Sequence, residues 1–178
     1  MELTAQIVGL AAMSFNILSY QQKTRSQVIA FQLFGGLLFC INFFLLGAIS
    51  GSLLNAVAVI RAIVFLNKEK LRADHPVWLA GFTAVYLICY GLTFTVFGTE
   101  ASLRNLVLEA LPVIGMTATT ISFRLTDAKA IRRYGLISSP SWLIYNISSF
   151  SIGAIICEVL SLGSIILGII RLDRKQSN

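Results

Sequence analysis

Three ionisable side chains lie inside otherwise apolar stretches of the chain: Arg61, Glu109 and Glu158. A charge at mid-bilayer costs roughly 2.5–3.5 kcal/mol on insertion scales, so such groups face a partner or a wet cavity. Glu158 reads as the wall of a polar path, taking a proton or meeting a solute amine. It reads equally as a hydrogen-bonding group between helices. Arg61 reads as a side chain that snorkels to the nearer headgroup layer. Two amides, Asn42 and Asn146, occupy similarly apolar surroundings. A buried amide in lipid needs a partner, and across helices that bond is worth about 0.6–2 kcal/mol. The sharper reading turns both amides onto one central cavity. The substrate-binding candidates are then Asn42, Asn146, Glu158, Asn55, Trp142, Tyr145 and Asn16, with Tyr20 nearby.

Backbone chemistry adds two hinge candidates, Pro112 and Pro140. Proline removes a donor and frees a carbonyl one turn earlier. Pro112 follows Glu109 by three residues and precedes Gly115; Pro140 has Ser138, Ser139, Ser141 and Trp142 around it. Each reads as a moving joint or as a fixed kink. Catalytic patterns are missing: the sequence holds no HExxH, no GxSxG, no Cys/His cluster and no phosphate-cradling glycine loop. Its one histidine, His75, precedes Pro76. An enzyme is not expected, nor a cofactor or metal. Cys40, Cys89 and Cys157 lie in apolar runs and read as small hydrophobes.

The elements that must position these groups follow from composition. Only 12% of the 178 residues are charged and 56% are hydrophobic. Soluble domains carry roughly 25% charged residues, so this chain could not cover a water-facing surface. Seven apolar stretches are legible, at about 5–20, 28–47, 53–66, 77–97, 103–123, 134–150 and 152–170. Helices are expected, because the alternation of a barrel strand is missing. The cations fall in alternate gaps. Lys23 and Arg25 follow the first stretch; Lys68, Lys70 and Arg72 the third; Arg124, Lys129, Arg132 and Arg133 the fifth; Arg171, Arg174 and Lys175 the seventh. Positive loops stay in the cytoplasm, which predicts seven crossings with the N-terminus outside and the C-terminus inside. The net charge of +6 then serves lipid headgroups, and nucleic-acid binding is not expected. The opening Met1-Glu2-Leu3 does not read as a cleavable signal peptide.

The chain also half-repeats itself. At an offset of 103, Met13 falls on Met116, Ser14 on Thr117, Ser19 on Ser122, Tyr20 on Phe123 and Asn55 on Glu158. An offset of 104 places Asn42 on Asn146, with a one-residue indel in each intervening turn. The expectation is one integral membrane domain over 1–178 with a 3+1+3 plan. Residues 1–67 form a first three-helix unit, 77–97 a linker helix, and 101–172 a second, parallel unit. Substrate between such repeats is a known plan among small transporters.

Several segments carry a resemblance. Leu111-Pro112-Val113-Ile114-Gly115, the Trp142 to Asn146 run, the Ser151 to Glu158 segment, the exit at Arg171, the Phe43 to Gly47 run and Leu54-Asn55-Ala56 followed by Arg61 look like the bacterial inner-membrane YgjV family. The resemblance implies a multi-pass protein of the bacterial inner (plasma) membrane. It also implies a distant relationship to the SWEET, semiSWEET and PQ-loop transporters, which move sugars, vitamins or amino acids by alternating access. The Pro-Gln pair of that group is replaced by Gln21-Gln22 and Arg124-Leu125. The function expected is a small-solute transporter or facilitator; a non-transporting scaffold or accessory subunit is the alternative. Expected partners are the bilayer and a small polar solute, and the sequence is compatible with a homo-oligomer.

Overall fold

Local chemistry sets where the helices begin. Thr24 and Gln27 form a reciprocal capping box: the Gln27 amide donates to Thr24 Oγ1 (3.3 Å) and the Thr24 amide to Gln27 Oε1 (3.4 Å). Ser102 Oγ accepts from the Asn105 amide at 3.3 Å, and Asp127 Oδ1 from the Lys129 amide at 2.8 Å. His75 is a cap as well. Its Nδ1 accepts from the Val77 amide at 3.2 Å, with Pro76 at the first helical position.

The computed structural model describes residues 2–45, 49–96, 98–148 and 152–173. Among them it is all-helical: α1 Glu2–Ser19, α2 Arg25–Leu45, α3 Ile49–Leu66, the one-turn α4 Lys68–Leu71, α5 Pro76–Thr95, α6 Leu103–Arg124, α7 Ala128–Ser148 and α8 Ile152–Gly168, extended by a π-helical turn at Ile169–Asp173. Three helices are long and apolar enough to cross a membrane, at Pro76–Thr95, Leu103–Arg124 and Ile155–Asp173; Leu3–Ser19 and Ser52–Leu66 are shorter apolar helices. The turn at Ala48, Ser151, and the cations Arg174 and Lys175 lie outside the described residues.

Four helix starts move by three residues or more from the hydropathy reading, α1 to Glu2 and α3 to Ile49 among them. The second helix starts at Arg25 instead of 28, on the capping box. The sixth starts at Ala128 instead of 134. Its first turns hold Lys129, Arg132 and Arg133, which read as a loop because of their charge. Arg132 is in fact buried and paired within the bundle. Helices α2 and α7 run over 25–45 and 128–148, and α3 and α8 begin at 49 and 152. These limits keep one offset of 103. At the offset set by the starts of α2 and α7, Asn42 lies over Tyr145.

The helices close a ring. Each triplet packs in chain order, α2 touching α1 and α3, and α7 touching α6 and α8. The triplets meet edge to edge, α3 on α6 and α8 on α1, with α2 against α7 across the middle. Exchanging the triplets maps this set of contacts onto itself, as a two-fold axis would. Helix α5 lies outside the ring on α6 and α3, and exposes Val77, Val85, Leu87, Ile88 and Val96. The core runs through Val28, Ile29, Phe65, Phe82, Tyr86, Met116, Phe123 and Ile131.

The α1/α8 seam depends on glycine. A Cβ at Gly168 would stand 2.5 Å from the Tyr20 carbonyl oxygen and 2.8 Å from Arg132 Cδ, whereas Gly163 has open space around it. Gly168→Val should therefore cost about 1–3 kcal/mol through overpacking and lower the apparent Tm in detergent. Gly163→Ala should leave Tm unchanged or slightly raised. Equal melting of the two variants would contradict this packing.

Candidate functional site

One end of the bundle collects the carboxyl ends of α1, α3, α6 and α8 and the amino ends of α2 and α7. Terminal carbonyls have no partner within their own helix, and cations supply one here. Arg25, the first residue of α2, donates through Nε to the Phe123 carbonyl of α6 (3.0 Å) and through Nη2 to the Phe65 carbonyl of α3 (3.0 Å) and again to Phe123. Arg132 on α7 does the same for the other seam. Its Nη1 donates to the Gln22 carbonyl after α1 (3.0 Å), and its Nη2 pairs with Asp173 at the end of α8 (2.5 Å). Gln21 Nε2 adds bonds to Ser164 Oγ (2.9 Å) and its carbonyl (2.6 Å), and Ser164 Oγ donates to the Ile17 carbonyl (2.6 Å). Lys68 Nζ donates to the Arg124 carbonyl, and Arg124 Nη2 to the Asp74 carbonyl (2.7 Å). Burial, with Arg25 and Arg124 nearby and Asp74 opposing, holds the Lys68 ammonium below the usual lysine range. Both seams are tied shut at this end.

Toward the other end a cleft opens between α3, α5, α6 and α7. It encloses about 50 Å³, room for a few waters or a ligand of a few heavy atoms. Leu53 and Leu54 of α3 form one wall, Tyr90 and Thr93 of α5 the second, and Glu109 and Pro112 of α6 with Trp142 and Tyr145 of α7 the third; Tyr86 and Met116 form its floor. Gly115 makes the Trp142 position available: a Cβ there would meet the indole Nε1 at 3.0 Å. Tyr145 packs edge-on against Trp142, centroids 6.0 Å apart.

Behind the floor lies Arg61, 6% exposed. Its Nη1 donates to Tyr86 Oη (3.2 Å) and the Met116 carbonyl (3.2 Å) and touches Met116 Sδ (3.6 Å). Its carbon Cζ stacks over Phe123 at 5.2 Å. Tyr86 Oη is bonded to Thr120 Oγ1 (3.0 Å), whose hydroxyl donates to the Met116 carbonyl (2.8 Å). Nε makes no hydrogen bond to the protein. The ion pair found among the described residues joins Arg132 to Asp173 instead. The snorkelling expected for Arg61 is thus replaced by burial: its partners are on α5 and α6, where the chain sequence gives no hint of them.

The sequence-derived candidates do not gather in one place. Trp142 and Tyr145 line the cleft, with Pro112. Asn42 is buried against α1, its Nδ2 donating to the Ala5 carbonyl at 2.6 Å. Asn16 lies on the same α1/α2 interface, its Oδ1 3.0 Å from where a Gly35 Cβ would stand. Glu158 is on the α7/α8 interface, where Ser139 Oγ donates to its carboxylate. Asn146 is buried on α7 and Asn55 half-buried on α3. Helices α6 and α7 both continue through their prolines, Pro112 buried and Pro140 half-buried. The cleft also takes Glu109, Tyr86, Tyr90 and Thr93, which are not among the sequence-derived binding candidates. The Glu109–Pro112 spacing was a usable signal for the first; the others needed the packing of α5.

A family model described as Bacterial inner membrane protein, Imp-YgjV, matches residues 3–176. No curated protein and no solved structure matches the chain.

The closure at the cation-rich end is testable by itself. Removing one partner of a buried ion pair costs about 3–5 kcal/mol, because the other charge is left behind. Arg132→Leu or Asp173→Leu should each lower the apparent Tm markedly, and the double variant should recover part of the loss. Arg133→Leu, at an exposed neighbour, should change Tm little.

Proposed function

The chain belongs to this family of bacterial inner membrane proteins, and on that premise we propose that it is a small-solute transporter or facilitator. It works by alternating access between residues 1–67 and 101–172, with α5 as the connecting helix. The observation that carries the reading is the contrast between the two ends of the bundle. One end has a cleft walled by α3 on one side and α6 and α7 on the other. At the opposite end Arg25 and Arg132 tie the same two triplets together. A cavity reached from one side and sealed on the other is one state of an alternating cycle.

The tied end carries Lys23, Arg25, Lys68, Arg124, Arg132 and Arg171, so the positive-inside rule assigns it to the cytoplasm. Seven helices then cross the membrane, the N-terminus lies outside, and the cleft faces out. Pro112 borders the cleft and is the favoured hinge. A non-transporting scaffold or accessory subunit is the second reading. It is favoured by Asn42 and Glu158, which bond to protein groups instead of facing the cleft.

Three measurements test the proposal. Reporter fusions should place the C-terminus in the cytoplasm and the N-terminus outside; either end on the wrong side removes the assigned direction. Cys89 lines the cleft. In a chain with Cys40→Ser and Cys157→Ser, a membrane-impermeant maleimide added to intact cells should label it. Arg25→Ala, which loosens the closed end, should cut that labelling several-fold as the population turns inward. Labelling indifferent to Arg25→Ala would favour the scaffold. A solute screen by thermal shift should find a ligand that raises the apparent Tm of the wild type and loses its effect in Trp142→Ala.

A further inference from the structure

Arg61 is the least explained charge in the molecule. A guanidinium keeps its charge when buried and offers five donors in a planar fork. Here only Nη1 is engaged, and all its partners are neutral: a phenol, a backbone carbonyl and a thioether. Phe123 covers one face. Nε is enclosed without a bond. Buried charges are ordinarily paired, and leaving one unpaired is costly. Other cations of the bundle lack this problem, since Arg132 has Asp173 and Arg25 has two helix ends. The partners that hold Arg61 are also the floor of the cleft, because Tyr86 and Met116 belong to both. One side-chain layer separates an unneutralised cation from the solute cavity.

Building on the transport reading, we propose that the cleft takes a small carboxylate anion and that Arg61 is its charge-recognition residue. The carboxylate reaches the guanidinium as the Tyr86 hydroxyl swings off Nη1. Neutral partners are exchanged for an anionic one, and the planar fork gains a bidentate acceptor. Tyr86 retains Thr120 as a bonding partner, so its release leaves no orphaned hydroxyl. The small cavity and the walls of Trp142, Tyr145, Leu53 and Leu54 suit a short apolar tail on the acid. In a bilayer this arrangement also explains why the arginine is affordable: the ligand completes the site.

The experiment compares propionate with propionamide, equal in shape and different in charge. Purified full-length protein in phosphatidylcholine nanodiscs is titrated with each, read by thermal shift and by tryptophan fluorescence. Propionate should raise the apparent Tm saturably and propionamide should not. Arg61→Lys, which keeps the charge and loses the fork, should weaken the propionate effect roughly tenfold or more. Tyr86→Phe, which removes a competitor for Nη1 and leaves the arginine in place, should strengthen it. Equal responses to the two probes, a response to neither, or an unchanged response in both variants would overturn the proposal. Uptake into phosphatidylcholine proteoliposomes separates it from the transport reading. Propionate binding without uptake retains the anion site and removes transport. Uptake of neutral solutes with no preference for propionate does the reverse.

Discussion

Helix carboxyl ends in an apolar bundle present carbonyls that the helix cannot satisfy, and this need organises the molecule. Four such ends gather at one side, and the arginines of the two middle helices answer them. Arg25 and Arg132 each reach across a seam, joining the third helix of one triplet to the first of the other. Without such donors the ring would have buried unpaired carbonyls along both edges, each costing on the order of 1–3 kcal/mol. With them, the ring is anchored at one end and left free to carry a cleft at the other. The cations at these helix ends therefore stitch the ring's edges together.

The remaining polar groups are distributed among helix interfaces. Asn42 ties α2 to α1, Ser139 and Glu158 tie α7 to α8, and Thr119 and Ser138 tie α6 to α7 (3.1 Å). In a medium where apolar packing alone gives no preference between helices, such bonds and small residues specify neighbours. Gly9 and Gly35 make the α1/α2 approach close enough for Asn42 and Asn16 to lie between them. A polar residue within an apolar stretch is thus more often a fastening between helices here than part of a pocket wall.

The helices were legible in the sequence because apolar length and turn chemistry are local. Their ends were less so. Arg132 made the start of α7 read as loop, since a charge is scored as exposed until its partner, 41 residues away, is known. Arg61 failed for the same reason: Tyr86 and Met116 come from two other helices, and only the fold shows that they meet. Trp142, Tyr145 and Pro112, candidates by aromatic and backbone chemistry, all border the cleft. The pairing of Asn42 with Asn146 uses an offset one residue larger than that between the starts of α2 and α7. Amide spacing in a long apolar chain carries too little information to fix register.

The π-helical turn at Ile169–Asp173 makes the two edges of the ring unequal. It extends α8 and gives Arg132 a carboxylate to grip; α3 has no such turn, and Arg25 holds bare carbonyls there. One edge is thus latched by opposite charges and a glycine contact, the other by cations resting on carbonyl dipoles. The dipolar edge, between α3 and α6, is also the one that borders the cleft. The α1/α8 edge is therefore the more firmly held of the two, like the hinged side of a frame whose other side is only pinned.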